Sequence, residues 1–203
     1  MYKEKPIAVI FCGAPGSGKG LLRKTIVQVL GWQGAEMSAI LREDSIFQAE
    51  SAAFLSDMDE GELLPDTLVT DSLQRYLDAN QAIQSGGNIV FDGATRTLTQ
   101  LKFLLKWLVE KEYVCHFFHF DIPEEVCRKR INGRAAEQKR TDDKKPTSVD
   151  NRFSQYYRHL PSIEEELRRR GRIFNSIDAE ASPEEVFQQF CLFAGLATQE
   201  AFL

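Results

Sequence analysis

The sequence predicts an α/β protein: a parallel sheet with helices on both faces. Three observations predict it. Short apolar runs over 7–12, 88–93, 114–120 and 172–178 alternate with longer segments of helical periodicity, and strands that alternate with helices make parallel sheets covered on both sides. A glycine-rich stretch, Gly13-Ala14-Pro15-Gly16-Ser17-Gly18-Lys19-Gly20, joins the first apolar run to the first helical one. The 203 residues suffice for one full core and contain no linker long enough to separate independent domains.

Taken in order, Ile7-Ala8-Val9-Ile10-Phe11-Cys12 reads as a buried strand, and Leu21 to Leu30 as a helix with Leu22, Ile26, Val29 and Leu30 at helical spacing. Residues 31–34 read as a turn, 35–50 as a short helical unit carrying Arg42, and 51–61 as a polar stretch. A helix follows over 67–84, stopped by Gly86-Gly87. The second strand ends in Asp92-Gly93, the next helix covers 99–112, and Val114 to Phe120 is the third strand. Pro123-Glu124-Glu125 opens a helix that runs toward Gly133, with proline and negative charge in its first turn. A polar segment then extends to about Asn151, and a helix over 151–171 puts Phe153, Tyr156, Leu160, Ile163 and Leu167 on one side. After the fourth strand, Ser182-Pro183-Glu184-Glu185 carries the signature of a capped helix start.

Composition narrows the function. A net charge of −5 argues against general nucleic-acid binding, so phosphate affinity must come from local positive groups. No stretch approaches the length of a membrane span, and the apolar run after Met1–Pro6 is too short for a signal peptide. The expectation is a cytoplasmic protein. Cys12, Cys115, Cys127 and Cys191 are widely spaced in apolar surroundings and read as reduced thiols. His116 and His119 stand three apart on a strand, hence on opposite faces, which argues against zinc.

The chemistry begins at the glycine-rich stretch. Glycines 13, 16 and 18 permit the steep turns that point successive N–H groups into one concavity. The helix that follows adds unpaired donors and a partial positive charge, and Lys19 adds a full one. This is a site for a triphosphate tail, with the strand–loop–helix context that gives the G-x-x-x-x-G-K pattern meaning. The Ser or Thr that usually follows the lysine is Gly20. A magnesium ion must therefore be held by phosphate oxygens, waters and a carboxylate elsewhere, and Asp92, at the end of another strand, is placed for it. Arg96 follows within four residues and can fork onto a phosphate. Arg130 and Arg134 are one helical turn apart, and Arg140 and Arg152 bracket a segment poor in apolar residues. That pattern suits a lid drawn shut by anionic oxygens.

In the order Gly13–Gly20, Leu41-Arg42, Gly61-Glu62-Leu63-Leu64-Pro65-Asp66, Asp92-Gly93-x-x-Arg96-Thr97-x-x-Gln100, Arg130-Ile131-x-Gly133-Arg134, Arg140-x-Asp142-Asp143 and Arg152, these motifs resemble the adenylate kinases over nearly the whole chain. The resemblance implies a P-loop NTPase-type core with a small monophosphate-binding insert over about 36–70 and a short lid over about 134–151. It implies reversible, Mg2+-dependent phosphoryl transfer from ATP to AMP by a monomer. ATP would lie on residues 13–21, Leu21 included, with Arg130 and Arg134 on the donor nucleotide. AMP would be met by Arg42, Leu64, Gly93, Arg96, Gln100, Arg140 and Arg152. Lys19, Arg96, Arg134, Arg140 and Arg152 would gather the charge of the transferring group. The Gln100 amide, able to donate and accept, would suit the N1/N6 edge of adenine. The short lid has no Cys or His between Arg134 and Arg140, so no structural zinc is expected.

Several residues depart from the family pattern. Leu21 replaces a threonine, Thr95 replaces the proline before Arg96, Glu36-Met37-Ser38-Ala39 replaces Ser-Thr/Ala-Gly-Asp, and 146–148 carries one extra residue. These fall mainly on the acceptor side. They leave two alternatives open: a related monophosphate kinase with another base preference, such as UMP or CMP, and a catalytically weak nucleotide-binding regulator.

Overall fold

The structure, a computed structural model, describes residues 5–50, 52–138 and 145–196. Five parallel strands form one sheet in the order β2-β3-β1-β4-β5: β1 Ile7–Cys12, β2 Gln33–Glu36, β3 Ile89–Asp92, β4 Val114–Asp121 and β5 Phe174–Asp178. Ten helices lie among the described residues. They are α1 Lys19–Leu30, α2 Met37–Glu43, α3 Ser45–Glu50, α4 Ala52–Asp59, α5 Asp66–Ala79, α6 Gln81–Gln84, α7 Leu98–Glu110, α8 Glu124–Gln138, α9 Pro146–Arg169 and α10 Pro183–Phe193.

The central strand explains the two-sided core. Successive side chains of a strand point to opposite faces. Accordingly Ala8 and Ile10 join Phe91, Leu101, Leu104 and Phe117 on the face covered by α5, α7 and α9. Val9 and Phe11 join Leu22, Ile26, Phe118, Phe187 and Phe190 on the face covered by α1 and α10. A sheet buried on both faces needs the near-continuous apolar strands that β1, β3 and β4 supply. A third, smaller cluster of Ala14, Cys127, Ile131, Val149 and Phe153 seats the glycine-rich loop on α8 and α9.

Four sequence expectations are corrected. Residues 33–36, expected in a turn, form the edge strand β2, paired with β3 from Gln33↔Ile89 to Glu36↔Asp92, so the sheet has five strands and not four. The expected polar stretch over 51–61 contains α4, whose Phe54 and Met58 pack against the core. The helix expected over 67–84 is broken at Asn80, whose side chain accepts from Ile83 N to start α6. Helix α8 continues through Gly133 to Gln138, and α9 begins at Pro146, so both enter the polar segment expected between Gly133 and about Asn151. At the last helix, Ser182 and Glu185 form the expected capping box.

Candidate active site

Strands β1 and β3 deliver the loop 13–18 and Asp92 to one cleft of about 510 Å³ at the carboxyl end of the sheet, where open parallel sheets collect ligands. The loop needs its glycines for two reasons. A Cβ at Gly13 would lie 2.9 Å from Phe120 Cβ, and one at Gly16 would lie 2.6 Å from the Cys127 carbonyl. Gly16 and Gly18 also take φ of +80° and +101°, and Gly18 is the N-cap of α1. No side chain caps α1 there, so its first amides are open to an anion.

Lys19 folds back over this loop: Nζ donates to the Gly13 carbonyl at 2.7 Å, the Ala14 carbonyl at 2.8 Å and Ser17 Oγ at 3.1 Å. Burial lowers its pKa, and the negative charge of Asp92 works against that shift. Three donors on three oxygens hold the ammonium over the N-terminus of α1, where a terminal phosphate would meet it. Burial also pushes the neighbouring Cys12 thiol up to about 12, against a weaker pull from Lys19, so it stays protonated beside the lysine.

The remaining predicted residues fall as follows. Gly13, Pro15, Gly16, Ser17, Gly18, Gly20, Leu21, Asp92, Gly93, Arg96 and Arg152 line the same cleft, and Ala14 is buried beneath it. Gly93 adopts φ +77°, and a side chain there would approach Arg96 Nη2 to 3.3 Å. Arg130 lies between the cleft and a second cavity of about 250 Å³ whose apolar wall is Leu21, Ala179, Pro183 and Val186. Arg152 reaches the cleft from α9, its Nε donating to the Ser148 carbonyl at 3.4 Å. Arg134 lies on α8, and Arg140 lies outside the described residues.

Two of the predicted site residues have partners within the chain. Arg42, in the last turn of α2, lines the cleft but is paired with Asp59 at 2.8 Å. The Gln100 amide is engaged by its own chain: Oε1 accepts from Arg96 N at 2.9 Å and Nε2 donates to Asp66 Oδ1 at 3.0 Å. Gln100 is 2% exposed, so its amide directly fixes the Arg96 loop. Leu64, also at the cleft, is 7% exposed. Thr97 caps α7 by accepting from Gln100 N at 3.2 Å and donates to the same Asp66 oxygen at 2.7 Å.

Sequence reasoning did not single out Arg23 as a site residue. Its side chain is ion-paired with Glu36, and its Nε lies 3.9 Å from Asp92 Oδ2. The available signal was position, since Arg23 follows Lys19 by one helical turn. Also unforeseen was the contact between 60–62 and α9. Asn151 Nδ2 donates to the Glu60 carbonyl at 3.0 Å and to Glu62 Oε1 at 2.9 Å, Gln155 Nε2 donates to Glu62 Oε2 at 3.2 Å, and Lys145 pairs with Glu60.

Among the described residues no group of three or more His, Cys, Asp or Glu could hold a metal ion. Asp92, 13% exposed beside Gly20, fits magnesium of the kind that keeps most of its waters and leans on nucleotide phosphates. No described helix is long and apolar enough to cross a membrane.

The comparisons agree with this geometry. The family model described as adenylate kinase matches residues 11–171, which span the loop, Asp92, the arginines and all of α9. An adenylate kinase of Phocaeicola vulgatus is 33% identical over 141 residues, 68% of this chain and 73% of that one. An adenylate kinase of Bacteroides fragilis is 28% identical over 185 residues, 90% of this chain and 95% of its own. A UMP-CMP kinase of Gallus gallus is 28% identical over 188 residues, 91% and 95% of the two chains. With the phosphate-binding loop at the end of β1, Asp92 beside it on β3 and the matched span running through both, the chain belongs to the adenylate kinase family.

Proposed function

We propose that this enzyme transfers the γ-phosphoryl group of ATP to AMP, reversibly, giving two ADP. The observation that carries the reading is one continuous cleft. It joins Lys19 and the open amides of α1 at one end to Arg42, Leu64 and Arg96 at the other. A donor triphosphate on residues 13–20 and an acceptor phosphate near Arg96 would meet there tail to tail.

An acceptor oxygen then attacks the γ-phosphorus as the bond to the β-phosphate oxygen breaks, and ADP leaves on each side. Such transfer asks the protein for alignment and for positive charge where the equatorial oxygens gather negative charge. Lys19, Arg96 and Arg152 would supply that charge, joined by Arg134 and Arg140 from the segment over 134–151, which we read as the lid. Arg42 would exchange Asp59 for the acceptor phosphate. Bound magnesium would neutralise phosphate charge, with Asp92 as its protein carboxylate. The apolar cavity beside Leu21 and Arg130 would take the donor adenine, and residues 36–70 would form the acceptor insert. We read the protein as a cytoplasmic monomer acting on small nucleotides, without nucleic-acid or membrane partners.

A coupled assay over AMP, CMP, UMP, GMP and dAMP tests the acceptor. AMP is expected to give the highest kcat/KM, and preference for a pyrimidine would reject the assignment. The pyrimidine alternative draws on one observation, that the Gln100 amide is already engaged by Arg96 and Asp66. Tight ATP binding without transfer to any monophosphate would instead favour a regulatory nucleotide binder.

A further inference from the structure

The wall of the cleft between α1, β2 and β3 holds a three-residue charge cluster, of which the reaction described above uses Asp92 alone. Glu36 and Asp92 are register partners at the carboxyl ends of β2 and β3. Both carboxylates converge on Arg23, whose side chain is 12% exposed. Nη2 pairs with Glu36 Oε2, while Nε lies 3.9 Å from Asp92 Oδ2, beyond hydrogen-bond reach. This Nε is buried and has no hydrogen-bond partner, so its hold on Asp92 is purely one of charge. β2 makes room at Gly34, where a Cβ would come within 3.3 Å of Arg23 Nη1. Ser38 Oγ donates to the other Glu36 oxygen at 2.9 Å and fixes that carboxylate from its far side. Lys19 cannot serve both carboxylates, because its ammonium is committed to the oxygens of Gly13, Ala14 and Ser17.

Two partly buried carboxylates on neighbouring strand ends repel each other, and without a cation between them the pair would gather a divalent ion. We propose that Arg23 is a positioning residue, a built-in counter-cation that occupies the place between Glu36 and Asp92. It keeps free divalent metal out of the empty cleft and holds Asp92 toward Gly20 and the phosphate-binding loop. Metal then enters only with the phosphates that carry it. The inference rests on the reading of Asp92 as the carboxylate facing the nucleotide's metal. Its test uses neither nucleotide nor turnover, so its failure would leave the acceptor assignment standing.

The test is titration of nucleotide-free protein with Mn2+, free ion being read by electron paramagnetic resonance. Arg23→Met should bind Mn2+ at least about tenfold more tightly than the unaltered protein, because two carboxylates lose their shared cation. Arg23→Lys, which restores the charge, should return to the unaltered level. Adding Glu36→Gln to Arg23→Met should abolish the gain. A purely structural Arg23 would lower the Tm of Arg23→Met without creating metal affinity. The proposal is overturned if Arg23→Met binds no more tightly, if Arg23→Lys gains as much, or if the gain survives Glu36→Gln. Should circular dichroism show Arg23→Met unfolded, Arg23→Gln, neutral yet able to bond Glu36, is read in the same way, with the same gain expected and its absence decisive.

Discussion

Gly61 closes the turn after α4 with φ +78°, and its Cα faces the first turn of α9. In Gly61→Ala the new Cβ would overlap the Ser148 carbonyl oxygen and lie 3.0 Å from Ser148 Oγ and 3.1 Å from Arg152 Cγ. The left-handed backbone costs about 1–2 kcal/mol for any L residue. Overlap with a carbonyl that cannot rotate away adds about 1–3 kcal/mol. Against this stand the Lys145–Glu60 pair and the Asn151 and Gln155 hydrogen bonds to 60–62, exposed except for the part-buried bond from Asn151 to the Glu60 carbonyl. At about 0.5–1 kcal/mol each they supply only about 2–4 kcal/mol. The strain is therefore relieved by parting 60–62 from α9, while the core stays closed. A strain of about 2–5 kcal/mol set against about 2–4 kcal/mol of contacts leaves docked and parted forms comparably populated, and apparent acceptor affinity falls with the docked fraction. The expected result is an AMP KM raised about two- to fivefold, with binding of a fluorescent ATP analogue unchanged. An ATP affinity that falls in proportion, or an AMP KM that stays put, would refute the reasoning.

Two further expectations concern charge. Arg96→Lys should lower the transfer rate about 100-fold while ATP affinity holds, because a forked guanidinium becomes a point charge at the acceptor end only; equal losses in both would count against that role. Asp44 reports on acid stability. Burial pushes its carboxyl up, but hydrogen bonds from Arg75 and Ser72 outweigh it and hold the pKa at about 2, with Arg75 Nε at 3.0 Å and Nη2 at 2.6 Å. A depressed carboxylate contributes stability above its unfolded pKa and loses it as pH falls through its folded one. Asp44→Asn should thus show a lower Tm at pH 6, with the difference shrinking between about pH 4 and pH 2. A difference independent of pH would exclude the linkage.

What was legible from sequence was whatever apolar periodicity and glycine spacing encode. β1 spans Ile7–Cys12 as expected, and the other three expected strands lie within two residues of their predicted ends. β2 was hidden because Gln-Gly-Ala-Glu buries only Ala35, and an edge strand is set by its partner more than by its own composition. Helix α4 was hidden by its acidic half, although Phe54 and Met58 anchor it. At the site, glycines and Lys19 announce themselves because no other residues satisfy that backbone. Arg23 does not, since one arginine in a helix reads as solvated until Glu36 and Asp92 are brought to it by strand pairing. The Gln100–Asp66 bond is equally unreadable, joining residues 34 positions apart.

The sheet order has a further consequence. β1 is the middle strand, with β3 and β4 on either side, so the loop and Asp92 hang from the part of the molecule that opens last. Glu36 and helices α2 to α4 hang from an edge, where sub-global opening is cheapest. On the proposed reading, substitutions around this edge would alter the acceptor end without loosening the phosphate-binding loop. Hydrogen exchange would display that division directly, as slow amides in 7–12 and 89–92 beside fast ones in 37–59.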